Sequence, residues 1–304
     1  MFNKISKAIK HPQLMIDYLA NKGFFNWIPD KPYLKLLYKI RVGEKLNLKN
    51  PKTFNEKLQW LKLYDRKPEY TMMVDKYKVR EYIAEKLGEE YLIPLLGVWD
   101  DPDEIDFDKL PNQFVLKCNH NSGLGMCICK DKSKLDIEKV KNELKKGLKQ
   151  NYYKTSREWP YKNVERKIIA EKFMVDEKSP DKGLVDYKFY CFNGKIEYLY
   201  VSQDMYDHNL AKVVFVDKNW EFAPFTRNDY NKMDTLPNKP KNFHKMCRIA
   251  ETLSNNIPFL RVDLYEINEK IFFSELTFYT GAGFTILTPD KWNYILGDII
   301  SLKN

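Results

Sequence analysis

The sequence has no apolar run that approaches the ~20 residues needed to span a membrane. Its N-terminus has neither the apolar core nor the A-x-A-like cleavage site of a signal peptide. Cysteine is scarce, because only five occur in 304 residues, and they are scattered through apparent strands. These absences predict reduced thiols in a cytoplasmic protein, located at most at the inner face of the membrane.

Signatures of several common chemistries are also missing. Cys127 and Cys129 have no second Cys/His pair at zinc spacing, which argues against a zinc site. No Arg-rich block, RNP-like motif or helix-turn-helix pattern is present, so we do not expect nucleic-acid binding. The P-loop spacing is absent, and no helix opens at a glycine fingerprint, so neither a Walker A nor a Rossmann nucleotide site is expected.

The sequence is rich in positive charge and in aromatic residues. It has 51 Lys and Arg against 42 Asp and Glu, a net charge of +9, and 14% aromatic residues. The aromatic content argues against disorder, and the charge permits anionic partners such as nucleotides, glycans or a membrane surface. Residues 4–10 form a short basic amphipathic turn. This turn either packs on the domain or makes peripheral contact with an anionic membrane.

The chain divides into three stretches by pattern. Residues 1–74 predict short helices, one of them opened by a capping box at Thr53. Residues 75–170 and 171–304 each predict antiparallel hairpins with covering helices. This arrangement predicts an α+β fold.

A hairpin at residues 259–277 is the strongest local pattern, because both halves alternate polar and apolar residues. With a three-residue turn, Asp263 lies opposite Glu275 and Arg261 lies opposite Thr277. Adjacent carboxylates repel each other unless a cation joins them. Mg²⁺ fits, because it is usually held by one or two carboxylates plus substrate phosphates. The alternative is an exposed hairpin with charges on its solvated face.

A glycine-bearing loop at residues 119–125 links two apparent strands, and Lys117 lies just before it. Its small residues, Ser122 and Gly123 among them, would let backbone N–H groups approach an anion. His120 lies in the same loop, where it would donate to a phosphate, act as an acid or base, or do neither. Lys117 is alternatively a surface lysine at a strand end.

The order of these motifs resembles that of the ATP-grasp superfamily and, more narrowly, of the TupA-like ATP-grasp family of bacterial surface-polysaccharide gene clusters. The resemblance runs from about residue 40 to the C-terminus. It is carried by Phe54-Asn55-Glu56-Lys57-Leu58-Gln59-Trp60, Asp75-Lys76-Tyr77-x-Val79-Arg80, Phe114-x-Leu116-Lys117-x-Asn119-x-x-Ser122-Gly123, Asp186-Tyr187-Lys188-Phe189 with Phe192-Asn193-Gly194-Lys195, and Arg261-Val262-Asp263 with Ser274-Glu275-Leu276-Thr277-Phe278.

The resemblance implies that two α+β lobes, residues 75–170 and 171–304, clamp ATP between them. By this comparison Lys76 and Lys117 contact the phosphates, and the glycine loop covers them. A hinge strand would bind the adenine, mainly through backbone hydrogen-bonding groups, at Glu171, Lys172, Phe173 and Met174.

The resemblance also implies the residues that would carry the chemistry. Asp263 and Glu275 would hold Mg²⁺, with two ions possible, and Arg261 would steady the γ-phosphate. Thr277, the third candidate metal ligand, stands where many ATP-grasp ligases carry Asn. Two residues on one face of the preceding hairpin are candidates for the nucleotide site and for catalysis, unless they form only an ion pair: Asp186 and Lys188.

The implied activity is a carboxylate–amine ligase that joins an amino acid or similar amine to a uronic acid of an anionic glycan, carried on a nucleotide or a lipid. A glycosyltransferase of such a pathway is an alternative, but it would need a D-x-D motif after a Rossmann-like half. The Asp106-Phe107-Asp108 triplet lies instead in an acidic loop. An ATP-grasp sugar kinase would share the same nucleotide half, and a non-catalytic polyanion-binding protein would share the same basic charge.

Overall fold

The computed structural model describes residues 12–180, 183–203 and 211–302. The basic turn at residues 4–10 lies outside these ranges. The described part of the chain begins with five helices: α1 (Pro12–Asn21), α2 (Asp30–Arg41), α3 (Phe54–Tyr64), α4 (Glu69–Val74) and α5 (Val79–Lys86). Thr53 opens α3 with a complete capping box, as predicted. Within the described ranges, no helix is both long and apolar enough to cross a bilayer.

A smaller antiparallel sheet follows, with strand order β1-β4-β2-β3. Its strands are β1 (Leu95–Trp99), β2 (Phe114–Cys118), β3 (Met126–Cys129) and β4 (Ile168–Lys172). Helix α6 (Ile137–Lys149) begins at an Asp136 cap and buries Val140 and Leu144 against this sheet. Helix α7 (Tyr152–Ser156) and a 3₁₀ turn at Trp159–Asn163 lead into β4.

A larger sheet has the order β11-β10-β5-β6-β7-β9 and is antiparallel except at the β7–β9 pair. Its strands are β5 (Asp186–Phe192), β6 (Lys195–Gln203), β7 (Lys212–Asp217), β9 (Asn231–Lys232), β10 (Phe259–Ile267) and β11 (Lys270–Thr277). Two short strands pair separately: β8 (Thr226–Arg227) and β12 (Leu287–Thr288). Helix α8 (Phe243–Ser254) packs on the sheet, and α9 (Lys291–Ile299) packs on α3. The α+β expectation is confirmed.

The hydrophobic cores show which elements belong together. Helices α3 and α4 bury Phe54, Leu58 and Tyr70 in the core of the larger sheet. The smaller sheet has its own core with α6. Helices α1 and α2 form a third core that includes Phe284. Part of the helical segment at residues 1–74 is therefore built into the body of the larger sheet.

The β10–β11 hairpin has the pairing that the sequence predicts at its far end, where Asp263 lies opposite Glu275. The turn differs from the prediction, because it has two residues, at 268–269, both with positive φ. The register then shifts by one beyond Asp263, which leaves Ser274 as a bulge. The shorter turn and the extra residue compensate, so the two carboxylates still meet.

Candidate active site

The strand pairing places an arginine against both carboxylates of the hairpin. Arg261 donates from Nε to Asp263 Oδ1 at 2.7 Å and from Nη2 to Asp263 Oδ2 at 2.6 Å. The same Nη2 donates to Glu275 Oε1 at 2.5 Å, and Thr277 Oγ1 donates to that oxygen at 3.2 Å. Asp263 is fully buried, so its charge requires such partners.

The neighbouring strand β5 contributes a second cation. Lys188 pairs with Asp263 across the β5–β10 ladder, and its Nζ lies 3.2 Å from Asp263 Oδ2. It also bonds to Asp186 Oδ2, so the predicted ion pair is present and is continuous with the carboxylate cluster. The other oxygen, Asp186 Oδ1, is buried and has no hydrogen-bond partner among the described residues. That free acceptor fits an incoming donor or cation.

Electrostatics keep Glu275 and Lys188 charged at neutral pH, whereas burial raises the pKa of Asp263 to about 6 against the charges of Arg261 and Lys188. Burial alone would raise the pKa of Glu275, but Arg261, Lys76 and Lys188 outweigh it and lower the value to about 2. Burial also lowers the pKa of Lys188, yet Asp186 and Asp263 raise it above its ordinary value. Glu275 is therefore an ionised carboxylate that remains available to a cation.

The smaller sheet carries a second charged group. Lys117, at the end of β2, lies with its Nζ 2.6 Å from Glu171 Oε2 on β4. Arg80 approaches the other oxygen of Glu171, with Nη1 3.8 Å from Oε1. Glu171 is buried, so its side chain has a structural partner in addition to any backbone role. Lys117 is thus part of an ion-pair group and not an isolated surface lysine.

Lys76 connects the two sheets. Its Nζ donates to the backbone oxygen of Asn121 in the glycine loop at 2.7 Å and lies 3.9 Å from Glu275 Oε2. Burial lowers the pKa of Lys76, while Glu275 raises it and Lys117 lowers it. One ammonium group therefore links the glycine loop to the carboxylates, which is where a polyphosphate bound between them would be neutralised.

The glycine loop is anchored at its base and open at its tip. Asn119 donates to Asp75 Oδ1 and to the backbone oxygen of Glu165, both at 2.8 Å. Ser122 and Gly123 are exposed, and Gly123 has φ +83° with open space around it. An exposed tip with free backbone suits the cover of an anion.

The remaining predicted residues lie at the margins of this site. His120 is buried, with Nε2 3.2 Å from the backbone oxygen of Gln150 at the end of α6, and burial lowers its pKa to about 4. Its catalytic role stays a prediction. Lys172 ends β4 and is exposed, and the partly buried Phe173 and Met174 follow it without regular structure. Their role in binding adenine also stays a prediction.

Sequence reasoning missed a polar stripe on α3. Three buried side chains spaced by four and three residues face the segment 280–285: Asn55, Gln59 and Lys62. Asn55 donates to the backbone oxygen of Thr285 at 2.7 Å, Gln59 to that of Gly283 at 2.7 Å, and Lys62 to that of Ala282 at 2.8 Å.

This segment in turn contacts the site, because Arg261 Nη1 donates to Thr280 Oγ1 at 3.4 Å. The signal in the sequence was a helix whose apolar face carries Gln59 and Lys62. Their acceptors, however, lie more than 200 residues away, so the sequence shows no partner.

The donor set suits magnesium better than a transition metal. No group of three His, Cys, Asp or Glu side chains in the part of the chain that the structure describes is placed to hold a metal by itself. Two carboxylates and a hydroxyl are hard oxygen donors, and Mg²⁺ commonly relies on one or two carboxylates plus substrate phosphates. The residues present therefore fit Mg²⁺ bound together with a nucleotide.

A carboxylate pair on the larger sheet, Lys117 on the smaller sheet, and Lys76 in contact with both the glycine loop and Glu275 are the features of the ATP-grasp class of nucleotide-binding proteins. More particularly, the chain belongs to the TupA-like ATPgrasp family, whose sequence profile matches residues 56–301. No curated protein matches the chain.

Among solved structures, the chain is similar to a D-alanine–D-alanine ligase from Helicobacter pylori, with 13% identity, a TM-score of 0.48, and coverage of 83% of this chain and 70% of that one. It is similar to the ATP complex of D-alanine–D-alanine ligase from Bacillus anthracis, with 14% identity, a TM-score of 0.39, and 68% and 53% coverage. It is also similar to a RimK domain ATP-grasp protein from Sphaerobacter thermophilus, with 9% identity, a TM-score of 0.42, and 76% and 69% coverage. These likenesses are too distant to indicate what this chain acts on.

Proposed function

We propose that this chain is an ATP- and Mg²⁺-dependent ligase that joins a carboxylate to an amine. A carboxylate oxygen of the first substrate attacks the γ-phosphorus of ATP, ADP leaves, and an acyl phosphate forms. The amine nitrogen then attacks the acyl carbon, inorganic phosphate leaves, and the nitrogen loses a proton as the amide forms. Asp263, Glu275 and Thr277 would hold Mg²⁺, which neutralises phosphate charge when bound.

The observation that carries this proposal is the contact that Lys76 makes with both the glycine loop and Glu275. Phosphoryl transfer depends mainly on positioning and on charge neutralisation. Lys76, Lys117, Lys188 and Arg261 supply cations to a single region between the sheets. Arg261 is partly buried and is fixed at three carboxylate oxygens, so little reorganisation is needed when charge develops near it.

For the substrate we propose a uronic acid of a surface polysaccharide, such as a capsule, carried on a nucleotide or a lipid, and an amino acid or similar amine as acceptor. The net charge of +9 on the chain favours an anionic glycan as substrate. This proposal rests on the family resemblance and on charge, since the site itself has no feature specific for a sugar.

We also propose that the enzyme works in the cytoplasm, at the anionic inner face of the membrane. Around α1 and the turn after it, four large apolar side chains are exposed by 48, 60, 65 and 80%: Met15, Tyr18, Phe24 and Trp27. Residues 1–45 carry nine Lys and Arg against three Asp and Glu, so this stretch holds six of the nine net positive charges. Aromatic residues beside lysines suit the interface of an anionic bilayer, where a lipid-linked sugar acid would be presented.

The test is to incubate the protein with Mg-ATP and glucuronate or galacturonate, with and without a mixture of amino acids, and to measure ADP and products. ADP release that requires the amine supports the ligase. ADP together with a phosphorylated sugar identifies a kinase. If calorimetry detects no nucleotide binding, both activities are excluded. Glu275→Gln should abolish turnover, and full activity of that variant would remove the proposed metal site.

A further inference from the structure

A small cavity lies between the chain around the start of α3 and the start of α9. Its volume is about 60 Å³. One water molecule takes up about 30 Å³ of liquid, so the cavity has room for a single ion with water and not for a nucleotide or a sugar. Its lining includes polar residues from two stretches that are far apart in the chain: Tyr38, Glu44 and Asn55 from one, and Asp290, Asn293 and Tyr294 from the other.

Two buried amide oxygens of this lining have no hydrogen-bond partner within the described ranges, Asn55 Oδ1 and Asn293 Oδ1. The two residues are only 3% and 6% exposed. Asn55 Nδ2 donates to the backbone oxygen of Thr285 at 2.7 Å, and Asn293 Nδ2 donates to Asp290 Oδ1 at 2.8 Å. Turning either amide round would place its oxygen against another oxygen, so these contacts fix the oxygens as the free atoms. Each of them therefore needs a donor or a cation.

The charge of the lining favours a cation over a neutral donor. Glu44 and Asp290 place two exposed carboxylates in it, and no Lys, Arg or His from the described part of the chain lines it, although the whole chain has a net charge of +9. Carboxylate and amide oxygens are the ligands that Ca²⁺ takes in flexible sites of about six to eight oxygens. Mg²⁺ fits less well, because it demands a nearly ideal octahedron and usually keeps several waters.

We propose that this cavity binds a divalent metal cation of the Ca²⁺ type through the oxygens of four side chains: Glu44, Asn55, Asp290 and Asn293. The ion supplies the positive charge that the two orphaned amide oxygens lack. It joins the connection between α2 and α3 to the start of α9. None of its ligands belongs to the β10–β11 hairpin, so this site is separate from the one proposed for Mg²⁺.

Terbium is a suitable probe, because Tb³⁺ replaces Ca²⁺ at oxygen sites and luminesces when an adjacent tyrosine is excited. Tyr38 and Tyr294 both line the cavity. Wild type, Glu44→Gln and the matched control Glu138→Gln are titrated with Tb³⁺, which is then displaced with CaCl₂ or MgCl₂. Glu44 and Glu138 are both exposed, so the two variants reduce the general attraction of the chain for cations equally. Asn293→Leu removes a buried ligand, and its thermal unfolding reports whether it is folded.

We expect saturable luminescence in wild type and in Glu138→Gln, displaced by CaCl₂ at lower concentration than by MgCl₂. The Kd of Glu44→Gln should be weaker by at least about tenfold, because a ligand is lost. Folded Asn293→Leu should lose the saturable signal, and Glu275→Gln should keep the wild-type Kd, because the hairpin is not involved.

Three results overturn the inference. The first is an equal Kd in Glu44→Gln and Glu138→Gln, because the carboxylate at the cavity then contributes nothing. The second is a signal that Glu275→Gln abolishes, because the ion then binds at the hairpin. The third is the absence of saturable binding in wild type, because the cavity then holds water only. None of these measurements depends on turnover, so a failure of the ligase proposal leaves the inference standing.

Discussion

Replacing Arg261 with methionine tests whether the paired carboxylates depend on a cation. The substitution removes three hydrogen bonds to the carboxylates and one to Thr280, and it leaves Asp263, which is fully buried, beside Glu275. Removing one partner of a buried ion pair typically costs about 3–5 kcal/mol. Lys188 still lies 3.2 Å from Asp263, and the side chain of Glu275 is 30% exposed, so both acids keep some compensation. We therefore expect the free energy of unfolding of Arg261→Met to fall by about 3 kcal/mol, at the lower end of this range.

The assay is urea unfolding, followed by circular dichroism, with and without millimolar MgCl₂. The variant has two adjacent carboxylates without the guanidinium, so Mg²⁺ should stabilise it more than it stabilises wild type. Arg248→Met is the matched control, because Arg248 is exposed on α8. We expect the free energy of unfolding of this control to lie within about 0.5 kcal/mol of the wild-type value.

Two results would refute this reasoning. The first is an Arg261→Met stability within about 1 kcal/mol of wild type, because the carboxylates would then tolerate each other without the arginine. The second is an equal effect of Mg²⁺ on wild type, Arg261→Met and Arg248→Met, because the cation would then not bind at the hairpin.

Three further predictions concern other parts of the chain. An unfolded histidine takes up a proton near pH 6.5, whereas folded His120 takes one up only near pH 4. The free energy of unfolding of wild type should therefore fall by about 2 kcal/mol as the pH falls through this window. Urea unfolding at pH 7 and pH 4.5 should show this loss in wild type and not in His120→Gln. Gly125→Ala should destabilise more than Gly123→Ala in thermal unfolding. Both have positive φ, but a Cβ at Gly125 would lie 2.8 Å from the backbone of α6, whereas Gly123 has open space. The double variant Trp27→Ser with Phe24→Ser should lose sedimentation with anionic vesicles, and equal sedimentation with neutral vesicles would contradict an electrostatic interface.

Local pattern was sufficient for most of the scaffold. The strands Leu95–Trp99, Phe114–Cys118 and Met126–Cys129 are each a short, mainly apolar run, which is the pattern that indicates a buried strand. The hairpin was less straightforward. Glu269 adopts a positive φ that a sequence would more readily assign to glycine, and Ser274 gives no sign of a bulge. The pairing of Asp263 with Glu275 was predicted only because these two differences cancel.

The local sequence pattern did not predict which charged side chains are buried. In the sequence Lys62 lies between Leu61 and Leu63 on the apolar side of a helix, but no local pattern shows which groups would accept its hydrogen bonds. Lys62 becomes buried because it meets backbone oxygens that lie 94 and 220 residues further along the chain. For His120 the sequence left a phosphate contact, an acid–base role or neither open, and it gave no sign that Nε2 lies 3.2 Å from the backbone oxygen of Gln150 at the end of α6. Such contacts depend on the packing of distant elements, which no local pattern encodes.

The polar stripe on α3 has a consequence for how the chain reaches its native state during synthesis. Asn55, Gln59 and Lys62 meet their acceptors only across separations of 230, 224 and 220 residues. Until the ribosome has released the segment at 280–285, this helix carries three polar groups that cannot yet be buried. Its docking is therefore a late event, and the high contact order predicts slow maturation. Nascent chains that stop before residue 280 should expose α3 and be candidates for chaperone binding.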